Sequence, residues 1–176
     1  MELQHAIELI RSNHLITDTA TAWADLGSGT GLFTQALAHF LTPGSVIHAV
    51  DVSRSALSKM EPPPAGIVME KLQSDFVRDI LPFHGLEGIL MANALHFVRD
   101  QIGFLKKAET WLQPNGCFLL VEYDTDRPNP WVPYPLSFST LKLLFEQLDY
   151  KAIEKLGERP SLYNRAPLYA ALVKKI

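Results

Sequence analysis

Three alternating glycines, in the stretch Ala24-Asp-Leu-Gly-Ser-Gly-Thr-Gly-Leu-Phe33, limit the possible folds of this chain more than any other feature. Apolar residues 21–26 before them read as a short strand, and residues 32–41 after them as a helix. Glycines at 27, 29 and 31 permit positive φ and leave no side chains where a ligand must approach the main chain. A dinucleotide fingerprint, G-x-G-x-x-G, fails in both registers, because Leu32 and Thr34 stand where its third glycine is needed. A phosphate P-loop fails too, since no Gly-Lys-Ser/Thr follows.

The same strand and helix alternation continues along the chain. Residues 2–11 carry Leu3, Ala6, Ile7 and Ile10 at helical spacing. Residues 45–52 are β-branched and end in an acid, Ser53 is a capping serine for a short helix, and residues 62–66 stop it with prolines. Further strands are expected at 67–73, 88–95 and 117–123, the last preceded by a turn at Gln113-Pro-Asn-Gly116. Asp100 is a helix cap for 101–112, residues 139–148 give a last helix, and 150–157 and 168–174 are two closing strands. Such alternation implies an α/β sheet with a parallel core, whose ligands sit beyond the carboxyl ends of its strands.

Two acids at strand ends add to the glycine loop. Asp51 lies twenty residues after Gly31, where a carboxylate can accept both hydroxyl protons of a ribose; a helix cap or a solvated strand end is the plainer alternative. Ser74-Asp75-Phe76 offers an acceptor for an exocyclic amine and an aromatic face for a purine, although Asp75 also suits a turn. Together these positions describe a nucleoside pocket.

With these residues the chain resembles the class I S-adenosylmethionine-dependent methyltransferases, whose motif D/E-x-G-x-G-x-G is matched by Asp25-Leu-Gly-Ser-Gly-Thr-Gly31. The resemblance runs from Trp23 to Lys174. It implies a Rossmann-like three-layer α/β/α sandwich with a mostly parallel seven-stranded sheet and an antiparallel C-terminal hairpin. It also implies S-adenosylmethionine as cofactor. In this likeness Asp25, Gly27, Ser28, Gly29, Thr30 and Gly31 form the cofactor loop, with Asp25 orienting the loop or a water rather than touching the methyl donor. Asp51 takes the ribose and Asp75 the adenine amino group, Val52 and Phe76 flank the ring, and Asn93 lies near the sulfonium. Residues 94–98 look like those of the small-molecule, ubiquinone-biosynthesis-like branch. Amino-methyltransferases acting on nucleic acid carry Asn/Asp-Pro-Pro-Tyr/Phe after strand four, whereas this chain reads Asn93-Ala-Leu-His96.

His96 is the one candidate catalytic base, because imidazole titrates near neutral pH. A histidine hydrogen-bonded at the start of a helix is the favoured reading, and displacement at a sulfonium can proceed through alignment alone. Substrate contacts are sought at Glu122, Trp131, Tyr134 and Arg165, with Tyr163 able to reach the same rim. Glu122 could instead pair with Arg127 or Lys142, and Arg165 could be a surface ion pair.

Composition narrows the partners. Of 176 residues, 47% are hydrophobic and 20% charged, as in a single globular domain, here 1–176 with an opening helix (1–12), a proline-rich rim loop (124–138) and a terminal hairpin (150–175). The net charge of −3 and the scattered 16 basic residues argue against a nucleic-acid footprint. No apolar run approaches the roughly 20 residues of a bilayer span. Cys117 is the only cysteine, so neither an internal disulfide nor a multi-cysteine metal site can form, no metal is expected, and a cytoplasmic setting fits. A small-molecule methyltransferase is therefore expected. A catalytically silent cofactor-binding partner protein is the alternative, and a nicotinamide-dependent oxidoreductase a weaker one.

Overall fold

The computed structural model describes residues 1–161 and 166–175. Its centre is a seven-stranded sheet: β1 (Ala22–Leu26), β2 (Val46–Asp51), β3 (Val68–Gln73), β4 (Leu86–Ala92), β5 (Leu112–Tyr123), β6 (Ala152–Arg159) and β7 (Leu168–Lys174). The strands lie in the order β3-β2-β1-β4-β5-β7-β6. All neighbours from β3 to β5 run parallel, and β7 is antiparallel to both β5 and β6. This is the Rossmann-like sandwich with the antiparallel terminal hairpin that the sequence implies.

Alternation along the central strands explains the three layers. Successive side chains point to opposite faces, and on a strand covered from both sides each set is apolar. Trp23, Ile47, Leu90 and Leu119 pack on the face that holds α1 (Leu3–Ile10) and α2 (Leu32–Ala38). Ala24, Ile89, Met91, Phe118 and Leu120 pack on the other face, against α4 (Gln101–Glu109) and α5 (Phe138–Glu146). The short α3 (Arg54–Ser58) closes a small cluster of Ala49, Leu57 and Met60. Helix starts follow the expected chemistry. Ser53 accepts the Ala56 amide at 3.1 Å, and Asp100 accepts the Gly103 amide at 2.9 Å.

Gly88 on β4 exists to admit a neighbour: a Cβ there would overlap the Trp23 indole. Gly88→Ala should therefore destabilise the fold by about 2 kcal/mol through overpacking, read as a lower urea midpoint with an unchanged slope. Burial pushes the Cys117 thiol up to about 12, with opposing and reinforcing effects of Lys174 and Glu87. Iodoacetamide should consequently alkylate it only after unfolding, as read by intact mass.

Several sequence expectations need correction. Residues 113–116 do not end one element and begin another; they bulge within β5, whose pairing with β4 jumps from Leu86↔Leu112 to Gly88↔Cys117. Helix α4 ends at Glu109 rather than 112, because Trp111 turns into the core. Strand β4 stops at Ala92, and after two intervening residues a 3₁₀ turn (Leu95–Phe97) starts. No helix links β3 to β4, and β3 remains largely exposed at the sheet edge. Among the described residues no helix is long and apolar enough to cross a membrane.

Candidate active site

The strand order reverses between β1 and β4, since β1 lies between β2 and β4, and the crevice beyond their carboxyl ends is where such sheets hold ligands. The chain leaves β1 through Gly27, at φ 78°, whose amide donates to the Val50 carbonyl at 2.8 Å. A Cβ on Gly27 would stand 2.8 Å from that of Ala94, so glycine is required both by conformation and by the approach of β4's continuation. Gly31 follows at φ 87° and caps α2.

A cavity of about 560 Å³ opens here, lined by Gly27, Asp51, Val52, Asp75, Phe76 and Asn93 together with Val77, Arg78 and residues 94 and 97–99. Asp51 is fixed by two main-chain donors: the Gly29 amide at 2.8 Å on Oδ2 and the Ser53 amide at 2.8 Å on Oδ1. It thus joins the glycine loop to the end of β2 while lining the cavity. Asp75 also lines the cavity, yet its Oδ1 accepts the Val77 and Arg78 amides at 3.0 and 3.2 Å, the turn arrangement that its residue type allows. Phe76 is held edge-on by Phe104, with ring centroids 5.5 Å apart.

The other loop residues stay outside this cavity wall. Asp25 turns its carboxylate back toward α2, where Thr34 Oγ1 donates to it at 2.5 Å. Ser28 Oγ is buried without a hydrogen-bond partner, Gly29 is engaged by Asp51, Thr30 faces solvent and Gly31 serves the helix start. Burial is the largest influence on Asp25 and pushes its carboxyl up to about 7; the Thr34 bond opposes this and the nearby Asp51 charge adds to it.

A second cavity of about 510 Å³ adjoins the first and shares Asn93 and Phe97 with it. His96, Tyr123, Asn129, Trp131 and Val132 complete its wall. Asn93 is the hinge of the whole arrangement: it adopts a left-handed φ of 54°, its amide donates to Val121 at 2.7 Å, and its side-chain Oδ1 is buried with no partner. The proline-rich rim reaches this cavity in an ordered way. Asn129 Oδ1 accepts the Trp131 and Val132 amides, at 2.9 and 3.0 Å, and the Tyr134 amide donates to the His96 carbonyl at 3.0 Å. Asp124 accepts the Phe138 amide and pairs with Lys155, each near 3 Å, which ties the rim's base to α5 and β6.

The sequence-expected substrate residues separate in space. Trp131 lines the second cavity and is 81% exposed. Tyr134 does not line it; its main chain instead braces the His96 turn. Glu122 is a correction. Its side chain lies on the buried face of β5 beneath His96, with no route to Arg127, Lys142 or an acceptor. Arg165 and Tyr163 lie outside the described residues. His96 itself is 2% exposed, hydrogen-bonded in the 3₁₀ turn, and at the same time part of the cavity wall. Sequence reasoning missed Phe97 and Asn129; an aromatic beside His96 and an amide between Pro128 and Pro130 were the available signals.

Comparison with known proteins agrees with this geometry. Residues 24–118 match a family described as a methyltransferase domain, a span that stops just short of the rim. Comparison with curated protein sequences found no match. Among solved structures, the plantazolicin methyltransferase BpumL in complex with SAH is 16% identical with a TM-score of 0.70, and the alignment covers 99% of this chain and 84% of that one. A SAM-dependent methyltransferase from Leishmania major is 20% identical with a TM-score of 0.70, covering 89% and 65%. The DhpI–SAH complex is 18% identical with a TM-score of 0.70, covering 98% and 83%. Likenesses at these identities establish the shared fold, and none singles out a ubiquinone-biosynthesis-like branch.

Proposed function

This chain belongs to the class I S-adenosylmethionine-dependent methyltransferases, and from that membership and the paired cavities we propose that it methylates a small molecule held against Trp131 and Phe97. The observation that carries this reading is the shared wall. Asn93 and Phe97 border both the 560 Å³ and the 510 Å³ cavity, so a donor in one and an acceptor in the other meet at Asn93. Two such cavities favour transfer over a silent binding role, which would need only the first.

The first cavity suits S-adenosylmethionine on its own chemistry. Two carboxylates, Asp51 and Asp75, line it, and the orphaned Asn93 Oδ1 calls for a donor that a cationic amino-acid end provides. When bound, the cofactor supplies a methyl group on a sulfonium, whose departure needs no acid. Asp51 orients the ribose by accepting its hydroxyls, while its bonds to the Gly29 and Ser53 amides keep the loop in place. Phe76 offers a ring face, and Asp75 an acceptor at the adenine edge, alongside its turn bonds. Trp131, Val132 and Phe97 line the acceptor side of the meeting point, where holding the nucleophile close and aligned lowers the barrier to displacement. The buried thiol of Cys117 agrees with a cytoplasmic setting.

The test is transfer of radiolabel from S-adenosylmethionine into a fractionated metabolite extract, with the labelled product identified by mass spectrometry. Label in a small-molecule fraction is the expected result. Label confined to protein or nucleic acid, or its absence across fractions, contradicts the reading.

A further inference from the structure

The pair formed by Glu122 and His96 carries an inference beyond cofactor binding. Both side chains are buried, at 0% and 2% exposure, and Nδ1 of His96 lies 2.5 Å from Oε2 of Glu122. The other carboxylate oxygen, Oε1, accepts the main-chain amide of His96 itself at 3.2 Å. One carboxylate therefore grips one residue twice, fixing both the turn and the plane of the imidazole. A carboxylate can only accept, so in a neutral ring Nδ1 carries the proton and Nε2, on a residue that lines the second cavity, keeps its lone pair. The surrounding turn is pinned as well, through the Tyr134 amide on the His96 carbonyl.

The cavity that His96 lines is also walled by Phe97, Tyr123 and Trp131, with Asn93 and Asn129 adding side-chain amides. Phe97 and Tyr123 flank the imidazole, with ring centroids 4.4 and 6.3 Å from its own. A wall of aromatic rings suits a flat apolar frame, and a neutral imidazole suits a hydroxyl acidic enough to yield its proton during attack. The geometry points to a phenolic hydroxyl as the methyl acceptor, with His96 as its general base and Glu122 as the residue that positions the base, an inference that rests on the methyltransferase reading above. The phenol oxygen attacks the methyl carbon, the carbon–sulfur electron pair stays with sulfur, and the hydroxyl proton passes to Nε2 of His96 and from there to solvent. An aryl methyl ether and S-adenosylhomocysteine are the products. Glu122 holds no part of the substrate; its contribution is to fix the His96 turn through the main-chain amide and the imidazole tautomer through Nδ1.

The experiment uses the whole chain with selectively nitrogen-labelled histidine, with and without S-adenosylhomocysteine. Long-range nitrogen–proton spectra of the wild type should give His96 as the Nδ1-protonated tautomer. A titration with 4-methylphenol should then move the Nε2 resonance, and 4-methylphenol should bind about tenfold more tightly than 4-methylanisole, which has no hydroxyl proton to donate. His96→Leu should abolish that preference, and Glu122→Gln, whose amide can donate to Nδ1, should bring the Nε2-protonated tautomer into the spectrum and reduce the preference. An Nε2-protonated wild type, or equal affinity for the two probes, overturns the proposal; both readouts come from the unaltered protein and survive a variant that fails to fold. S-adenosylhomocysteine affinity is measured on the same samples. Its absence beside the expected histidine spectra counts against the cofactor assignment, whereas binding beside the wrong tautomer counts against the dyad alone.

Discussion

Asp51→Ala is expected to weaken S-adenosylhomocysteine binding by about a hundredfold, or about 3 kcal/mol, in a calorimetric titration. The effect is large because the carboxylate acts at both ends. It lines the cavity where the ribose is assigned, and it accepts the Gly29 and Ser53 amides, both at 2.8 Å. Its removal deletes charge-assisted bonds to the ligand and releases the glycine loop that the ligand must meet in a fixed form. Asp51→Asn should fall between the two, because an amide oxygen can still accept from one amide but carries no charge. An unchanged dissociation constant in the alanine variant would exclude Asp51 from the site.

Asp25→Asn is expected to stabilise the protein above neutral pH. Asp25 is fully buried beside Thr34, and burial raises its carboxyl to about 7 from an ordinary 3.8. The folded state therefore binds a proton that the unfolded chain has already released in this interval. By linkage, stability falls as pH climbs from about 4 to about 7, at about 1.4 kcal/mol per unit, and falls no further once both states are ionised. The full loss is about 4 kcal/mol, and asparagine, which is neutral throughout and can still accept from Thr34, avoids it. Urea unfolding of both proteins should thus agree near the acid end and diverge toward about pH 8, with the variant the more stable. Parallel profiles, with no divergence, would mean that Asp25 is solvated or paired in solution.

What the sequence makes legible, and what it leaves hidden, divides along physical lines. The glycine loop, Asp51 and the caps at Ser53 and Asp100 are local: each is set by conformational needs within a few residues, and each stands where its residue type requires. Apolar runs buried on both faces, as in β4 and β5, are similarly unambiguous. The turn signal at Gln113-Pro-Asn-Gly116 was real but resolved as a bulge, because the paired strands β4 and β5 continue across it. Glu122 was misplaced for a different reason. Its partner lies 26 residues away, and whether a strand-end side chain faces the crevice or the layer beneath depends on how the next turn folds back. The same distance hid the pairing that turns His96 from a capped turn residue into part of a cavity wall. The rim was legible as a place, through its prolines and Trp131, but not as a geometry. Asn129's side chain organises it, and asparagine bonding its own neighbours leaves no mark in composition.

The central assignment is the cavity bounded by Gly27, Asp51 and Asn93 as the seat of S-adenosylmethionine. Titration calorimetry of the unmodified protein with S-adenosylhomocysteine, and separately with a nicotinamide dinucleotide, addresses it most directly. Saturable one-to-one binding of S-adenosylhomocysteine, with no heat from the dinucleotide, is the predicted result. Binding of the dinucleotide with none of S-adenosylhomocysteine would contradict it.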